Sequence, residues 1–137
     1  ADLLLQTVKL IEENKAPREK QDDNLSCYAK MLNNDNCRID WTKSAQDIHN
    51  LVRGLNSWPV AYTTLNNKKF KIWQTRVTTG TGNPGQIIKL TKQSIIVATG
   101  EGAIELLEIQ PPNKAKMPAS SYINGHKQEL ENNVSFI

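Results

Sequence analysis

Eight basic side chains, Lys43, Arg53, Lys68, Lys69, Lys71, Arg76, Lys89 and Lys92, fall between residues 41 and 100, where Asp47 is the single acid. Residues 1–40 hold 6 basic and 8 acidic side chains, and residues 101–137 hold 3 and 5. The formal net charge of +3 therefore divides into +7 in the middle and −2 in each flank. A one-sided field of this kind suits a polyanion, whose phosphates lysine and arginine neutralise with release of counterions. The same side chains would also serve simply to solvate exposed strand faces, and charge alone leaves both readings open.

Other chemistry finds little support. Cys27 and Cys37 lie ten residues apart, which is not a zinc spacing, and His49 and His126, far from each other, read as surface residues. A structural zinc site needs four converging ligands, so no metal is expected. Glu101, Glu105 and Glu108 would be exposed separately by a turn and a strand, and no Ser-His-Asp or Cys-His arrangement stands out. The run GTGNPG from Gly80 to Gly85 is glycine-rich like a phosphate loop but precedes a strand, so no helix N-terminus can meet a phosphate there. The expectation is a binding chain with no catalytic residue and no cofactor of its own.

The elements that must carry the basic block follow from hydrophobic periodicity. Asp2 to Lys15 reads as a helix with Leu3 or Leu4, Val8 and Ile11 in a stripe that Leu5 and Leu10 widen. Asn14 to Asn24 is charged, contains Pro17 and has no apolar period, which is the signature of a linker. A second helix is expected from Asp40, a plausible N-cap, with Trp41, Ala45, Ile48, Leu51, Val52 and Leu55 on one arc and Gly54 as its stop. Pro59 then pushes Trp58 towards extended backbone.

Short strands follow at Val60–Leu65, Lys69–Thr78, Gln86–Thr91, Ser94–Thr99 and Ala103–Gln110. In the second of them Phe70 and Ile72 alternate inward, and Trp73, Thr75 and Val77 then take over, a slip of one residue that suggests a β-bulge. Lys69, Lys71, Gln74 and Arg76 fall on the opposite, outward face. Trp41 and Trp73 are expected in the core, with Trp58 left open as a base-stacking platform. Pro118 to Asn124 suggests a brief helix closed by Gly125, and no pattern places the tail from His126 to Ile137. The fold class predicted is mainly β with flanking helices: a small OB-like β-barrel of about five strands, preceded by an amphipathic helix. No apolar run approaches the roughly 20 residues that cross a bilayer, and no signal-peptide pattern opens the chain. Two cysteines suit reduced thiols, so a soluble, cytoplasmic protein without membrane partners is expected.

Specific residues add a family resemblance. Ile39-Asp40-Trp41, Ala45, Ile48-His49-Asn50, Val52-Arg53-Gly54-Leu55 and Trp58-Pro59-Val60-Ala61-Tyr62-Thr63 are followed in order by Phe70-Lys71-Ile72-Trp73, Pro84-Gly85, Ala98-Thr99-Gly100-Glu101-Gly102, Ile109-Gln110, Lys116-Met117 and Gly125. This series resembles the C-terminal domain of methionyl-tRNA formyltransferases and covers nearly the whole chain. Ser57 and Val60 depart from it, since the family more often has Pro and a small residue there. The resemblance implies that residues 1–15 are the last helix of a preceding Rossmann-like formyltransferase domain, 16–26 a linker, and 27–137 the C-terminal OB-like domain. The chain would then be a piece of something longer. The parent would formylate the amino group of initiator methionyl-tRNA from 10-formyltetrahydrofolate, with its catalytic Asn, His and Asp in the preceding domain and the tRNA held partly by this one. Similar domains occur in amino-sugar formyltransferases and formyltetrahydrofolate dehydrogenases, and a free-standing oligonucleotide-binding barrel is the remaining alternative.

Overall fold

The computed structural model describes residues 2–29, 31–33, 35–131 and 135–137. It divides into two compact units, Ala1–Met31 and Leu32–Ile137. In the first, helix α1 runs from Asp2 to Glu12. It stops short of the expected Lys15 because Asn14 takes φ 56° and the Lys15 amide reaches back to the Leu10 carbonyl at 2.8 Å. That is the Schellman closure, which asparagine tolerates better than most residues. No residue of α1 is buried, and Leu3, Leu4, Leu5 and Ile11 are between 59% and 77% exposed. Beyond it, within this unit, the described residues include a short 3-10 turn, Asp23–Leu25, capped by Asp22.

In the second unit, α2 spans Ala45–Gly54 and its N-cap is Ser44, not Asp40. The Ser44 hydroxyl accepts from the Asp47 amide at 3.1 Å and donates to the Asp47 carboxylate at 2.7 Å. Both residues are good caps, and long-range bonds decide between them. A helix begun at Asp40 would need the Trp41 carbonyl for the Ala45 amide. Instead that amide donates to the Glu101 carbonyl at 2.9 Å, and the Trp41 carbonyl accepts from Gly100 at 2.9 Å. Asp40 caps its own tight turn, accepting from the Thr42 hydroxyl and amide, which hold its carboxyl below the usual carboxylate range. The predicted arc holds for Ala45, Ile48, Val52 and Leu55, all buried. Gly54 is the last helical residue without a positive φ; the left-handed residue after the helix is Val60, at φ 73°. A β-branched residue there is strained, which is why a small residue suits that place.

Strands β1 (Ala61–Leu65), β2 (Lys68–Thr78), β3 (Ile87–Leu90), β4 (Ile95–Ala98) and β5 (Ala103–Gln110) form an antiparallel sheet in the order β1-β2-β5-β4-β3. A sixth, two-residue strand β6 (Met117–Pro118) adds to the far end of β5. The slip in β2 is present. Its register to β5 shifts on both sides of Gln74, where Trp73 and Leu107 are both skipped. Phe70, Ile72 and Thr75 point into the core with α2 against them. Val77, expected inward, is 40% exposed.

The tail closes the structure. Thr64 and Ile137 exchange both backbone hydrogen bonds at 2.9 and 3.0 Å, and the Phe136 amide donates to Gly85 at 2.8 Å just before β3. Residues 135–137 thus bridge the two ends of the strand order, while Ile39 bonds to Tyr62 further along the same edge of β1. The free edge of β1 is thereby occupied at Tyr62 and Thr64. Phe136 packs against Trp41 with ring centroids 5.7 Å apart and edge-on to Phe70 at 6.2 Å. Helix α3 covers Ala119–Glu131, longer than expected. It continues past Gly125 through a non-helical residue, His126, at φ −135°.

Candidate nucleic-acid interface

Strand β2 builds the centre of the site. Its alternation turns Lys69 and Lys71 outward, directly opposite Thr64 and Tyr62 of β1. The Lys69 ammonium sits 3.7 Å from the centroid of the Tyr62 ring. A cation–π contact of this kind orients the charge without neutralising it. Beyond the bulge Arg76 faces outward again, and the register carries a row across four strands: Arg76, Glu105, Ile96 and Lys89. Arg76 is ion-paired with Glu105 at 3.5 Å. Among the described residues it is the only one of the eight predicted cations in an ion pair. Lys43 lies near Asp40, whereas Lys69 and Lys71 have no ion-pair partner among the described residues.

The eight do not form one patch. Lys69, Lys71, Arg76 and Lys89 share the outward side of the sheet. Lys68 starts β2 with the opposite alternation and joins a cleft below it. Lys43 lies in the turn before α2 beside Asp40 and Asp47, Arg53 lies in the last turn of α2 near Asn50, and Lys92 is in the β3–β4 turn. Residues that the linear reading missed complete the face. Lys116, brought back by β6, donates to Glu108 at 2.8 Å and lies 5.2 Å from the Trp73 ring centre. Lys114 lines the same cleft as Lys68. Both fall outside the basic middle of the sequence, and only the β5–β6 pairing returns them to it.

The tryptophans separate. Trp41 is in the core, and its indole donates to Thr63 at 2.9 Å. Trp73 is not an inward residue. As the bulge residue it lies half-buried on the outer side, donating to Gln110 at 3.2 Å. Trp58 is 78% exposed, on a turn that Asn56 ties to the Trp73 carbonyl at 3.0 Å. His49, expected on the surface, is half-buried with Nδ1 2.9 Å from the Thr75 hydroxyl. The glycine run ends at Gly85, whose backbone is used by Ala98 and Phe136, so it serves the barrel seam. Cys27 and Cys37 are free thiols, and no group of potential metal ligands gathers among the described residues. Nor is any described helix long and apolar enough to cross a membrane.

Known proteins resemble this chain over most of its length. Residues 31–127 match the family described as formyl transferase, C-terminal domain. Methionyl-tRNA formyltransferase of Streptococcus mutans is 44% identical over 130 residues, covering 95% of this chain and 42% of that protein. Its counterpart in Clostridium perfringens is 45% identical over 131 residues, covering 94% and 42%. This chain therefore spans about two fifths of the length of these relatives. A crystal structure of HypX from Aquifex aeolicus superposes with a TM-score of 0.64 at 14% identity, over 93% of this chain and 23% of that one, a likeness of fold. With the family matched across the sheet and α2, this chain belongs to the formyl transferase C-terminal domain family.

Proposed function

We propose that this chain is the tRNA-holding part of a methionyl-tRNA formyltransferase, a cytoplasmic enzyme of translation initiation. The whole enzyme would pass a formyl group from 10-formyltetrahydrofolate to the amino group of initiator methionyl-tRNA, and this domain would orient the acceptor end. Supporting this reading is one observation above the others: Lys69 and Lys71 stand side by side on an outward strand face with no carboxylate paired to either. Phosphate contacts of that kind position a nucleic acid without reading its sequence. Arg76, Lys89 and Lys116 extend the face, while Lys43, Arg53, Lys68 and Lys92 flank it. In this reading residues 1–15 are the end of a preceding Rossmann-like catalytic domain, 16–26 a linker and 27–137 the tRNA-binding domain. The uncovered leucines of α1 suit burial against that domain.

Given charged initiator tRNA and 10-formyltetrahydrofolate, the isolated chain is expected to bind the tRNA and transfer no formyl group. A fluorescence titration and a formylation assay on one preparation check both halves. Turnover above the uncatalysed rate, or no tRNA binding at low salt, would overturn the proposal.

A further inference from the structure

On either side of the dipeptide Pro111-Pro112 lie two clefts that share both prolines as a wall. The smaller, about 190 Å³, is flanked by Lys69 and Lys71 with Gln110. The larger, about 340 Å³, is flanked by Lys68 and Lys114 and floored by Phe70, Met117 and Tyr122. Among the described residues no carboxylate lines either cleft. The strand's alternation sends Lys68 to one side of the ridge and Lys69 and Lys71 to the other. Four lysines therefore surround two prolines.

His126 completes the larger cleft. Its ring lies flat on Tyr122, with centroids 4.1 Å apart and planes within 9° of parallel. Tyr122 is itself held edge-on by Phe70 at 5.4 Å and is 8% exposed, so the pair is fixed from below. His126 Nδ1 lies 3.1 Å from the Tyr122 carbonyl, which can only accept, so Nδ1 is the donor of that bond. His126 as a residue is exposed. A flat aromatic ring over an apolar floor, with cations at the side, is what an unpaired base and its phosphates require.

We infer that the larger cleft is a subsite for one unpaired base of a nucleic-acid strand, stacked on His126, with the adjoining phosphates on Lys68 and Lys114. The strand continues over the proline ridge to Lys69 and Lys71. This rests on the tRNA reading for its natural ligand, but the cleft is tested separately. The ridge lysines would meet any phosphate backbone, whereas the stacking subsite needs a strand whose bases are free.

The probes are a single-stranded ribo-octamer carrying one 2-aminopurine and a blunt-ended, fully paired RNA duplex, titrated onto the full chain by fluorescence. Base stacking on an aromatic side chain corresponds to about 5- to 150-fold in affinity. His126→Ala should weaken the single strand at least fivefold, abolish its 2-aminopurine quenching and leave the duplex within twofold. His126→Phe should retain the quenching, and Lys68→Gln with Lys114→Gln should weaken the single strand more than the duplex. Unchanged single-strand affinity in His126→Ala, or an equal loss for the duplex, overturns the subsite. The tRNA reading survives that result if tRNA still binds. Conversely, octamer binding lost in His126→Ala while the wild-type chain ignores tRNA supports the subsite and overturns the tRNA reading.

Discussion

Replacing Gly100 with alanine is expected to destabilise the second unit by more than about 3 kcal/mol, near the top of the range for single substitutions. The Gly100 amide is shared between the carbonyls of Trp41 at 2.9 Å and Lys43 at 3.0 Å. A methyl group added at its Cα would run into the Thr42 carbonyl oxygen, and the Lys43 oxygen lies 3.2 Å away. These are backbone atoms that cannot rotate aside. To make room, the turn must withdraw from the residues before α2, which also loosens the Ala45–Glu101 bond that starts the helix. Gly54→Ala is the contrasting substitution. It sits at the end of α2 with nothing within 4 Å of the added carbon and no positive φ, so it should be neutral or stabilising by about 0.5–1 kcal/mol. Urea unfolding of the two variants checks the pair. Equal effects would mean that the turn and helix are not joined as described.

Phe136→Ala is expected to cost about 3–5 kcal/mol, the range for emptying a buried aromatic site. The ring is 3% exposed between Trp41 and Phe70, and its backbone spans the seam between β1 and β3. Truncation leaves a void against two aromatic rings that are held by other contacts and cannot collapse into it. Trp41 would lose its stacked neighbour, so its fluorescence should change with the stability. Phe136→Leu should cost markedly less. A loss under 1 kcal/mol in Phe136→Ala would mean that the tail lies on the barrel without closing it.

Those two residues also mark where reading the sequence fell short. The arc of α2 and the slip in β2 were legible because each is a local pattern with one buried side: Ile48, Val52 and Leu55 in the first, Phe70, Ile72 and Thr75 in the second. From these and the strand spacing the mainly β class with flanking helices followed. The start of α2 was not legible, because Asp40 and Ser44 are chemically equivalent caps and the decision belongs to Gly100 and Glu101, some sixty residues away. The tail carries one aromatic and no period, and its place is set by an edge of β1 and the loop before β3. Trp73 was read inward because a bulge makes parity ambiguous at its own residue. Among the basic side chains, Lys69 and Lys71 followed from alternation, but Lys114 beside Lys68 and Lys116 beside Trp73 could not, since they take those places only when the chain turns back after Pro111 towards β6. A charge count along the sequence sees neighbours in order, not neighbours across a ladder.

The account rests above all on the outward face of β2, and the salt dependence of initiator tRNA binding tests it most directly. Wild type, the Lys69→Gln/Lys71→Gln variant and a control, Lys127→Gln on α3, are compared. Lys127 is exposed and pairs with Glu131 at 3.6 Å on the same helix. If both lysines neutralise phosphates, the double substitution should lower the log–log slope of affinity against salt by about 1.4 to 1.8, at roughly 0.7–0.9 per contact. Initiator and elongator tRNAs should be affected alike, because phosphate contacts carry no sequence information. The control should keep the wild-type slope. An unchanged slope in the double variant, or an equal fall in the control, would contradict the assignment of this face to tRNA.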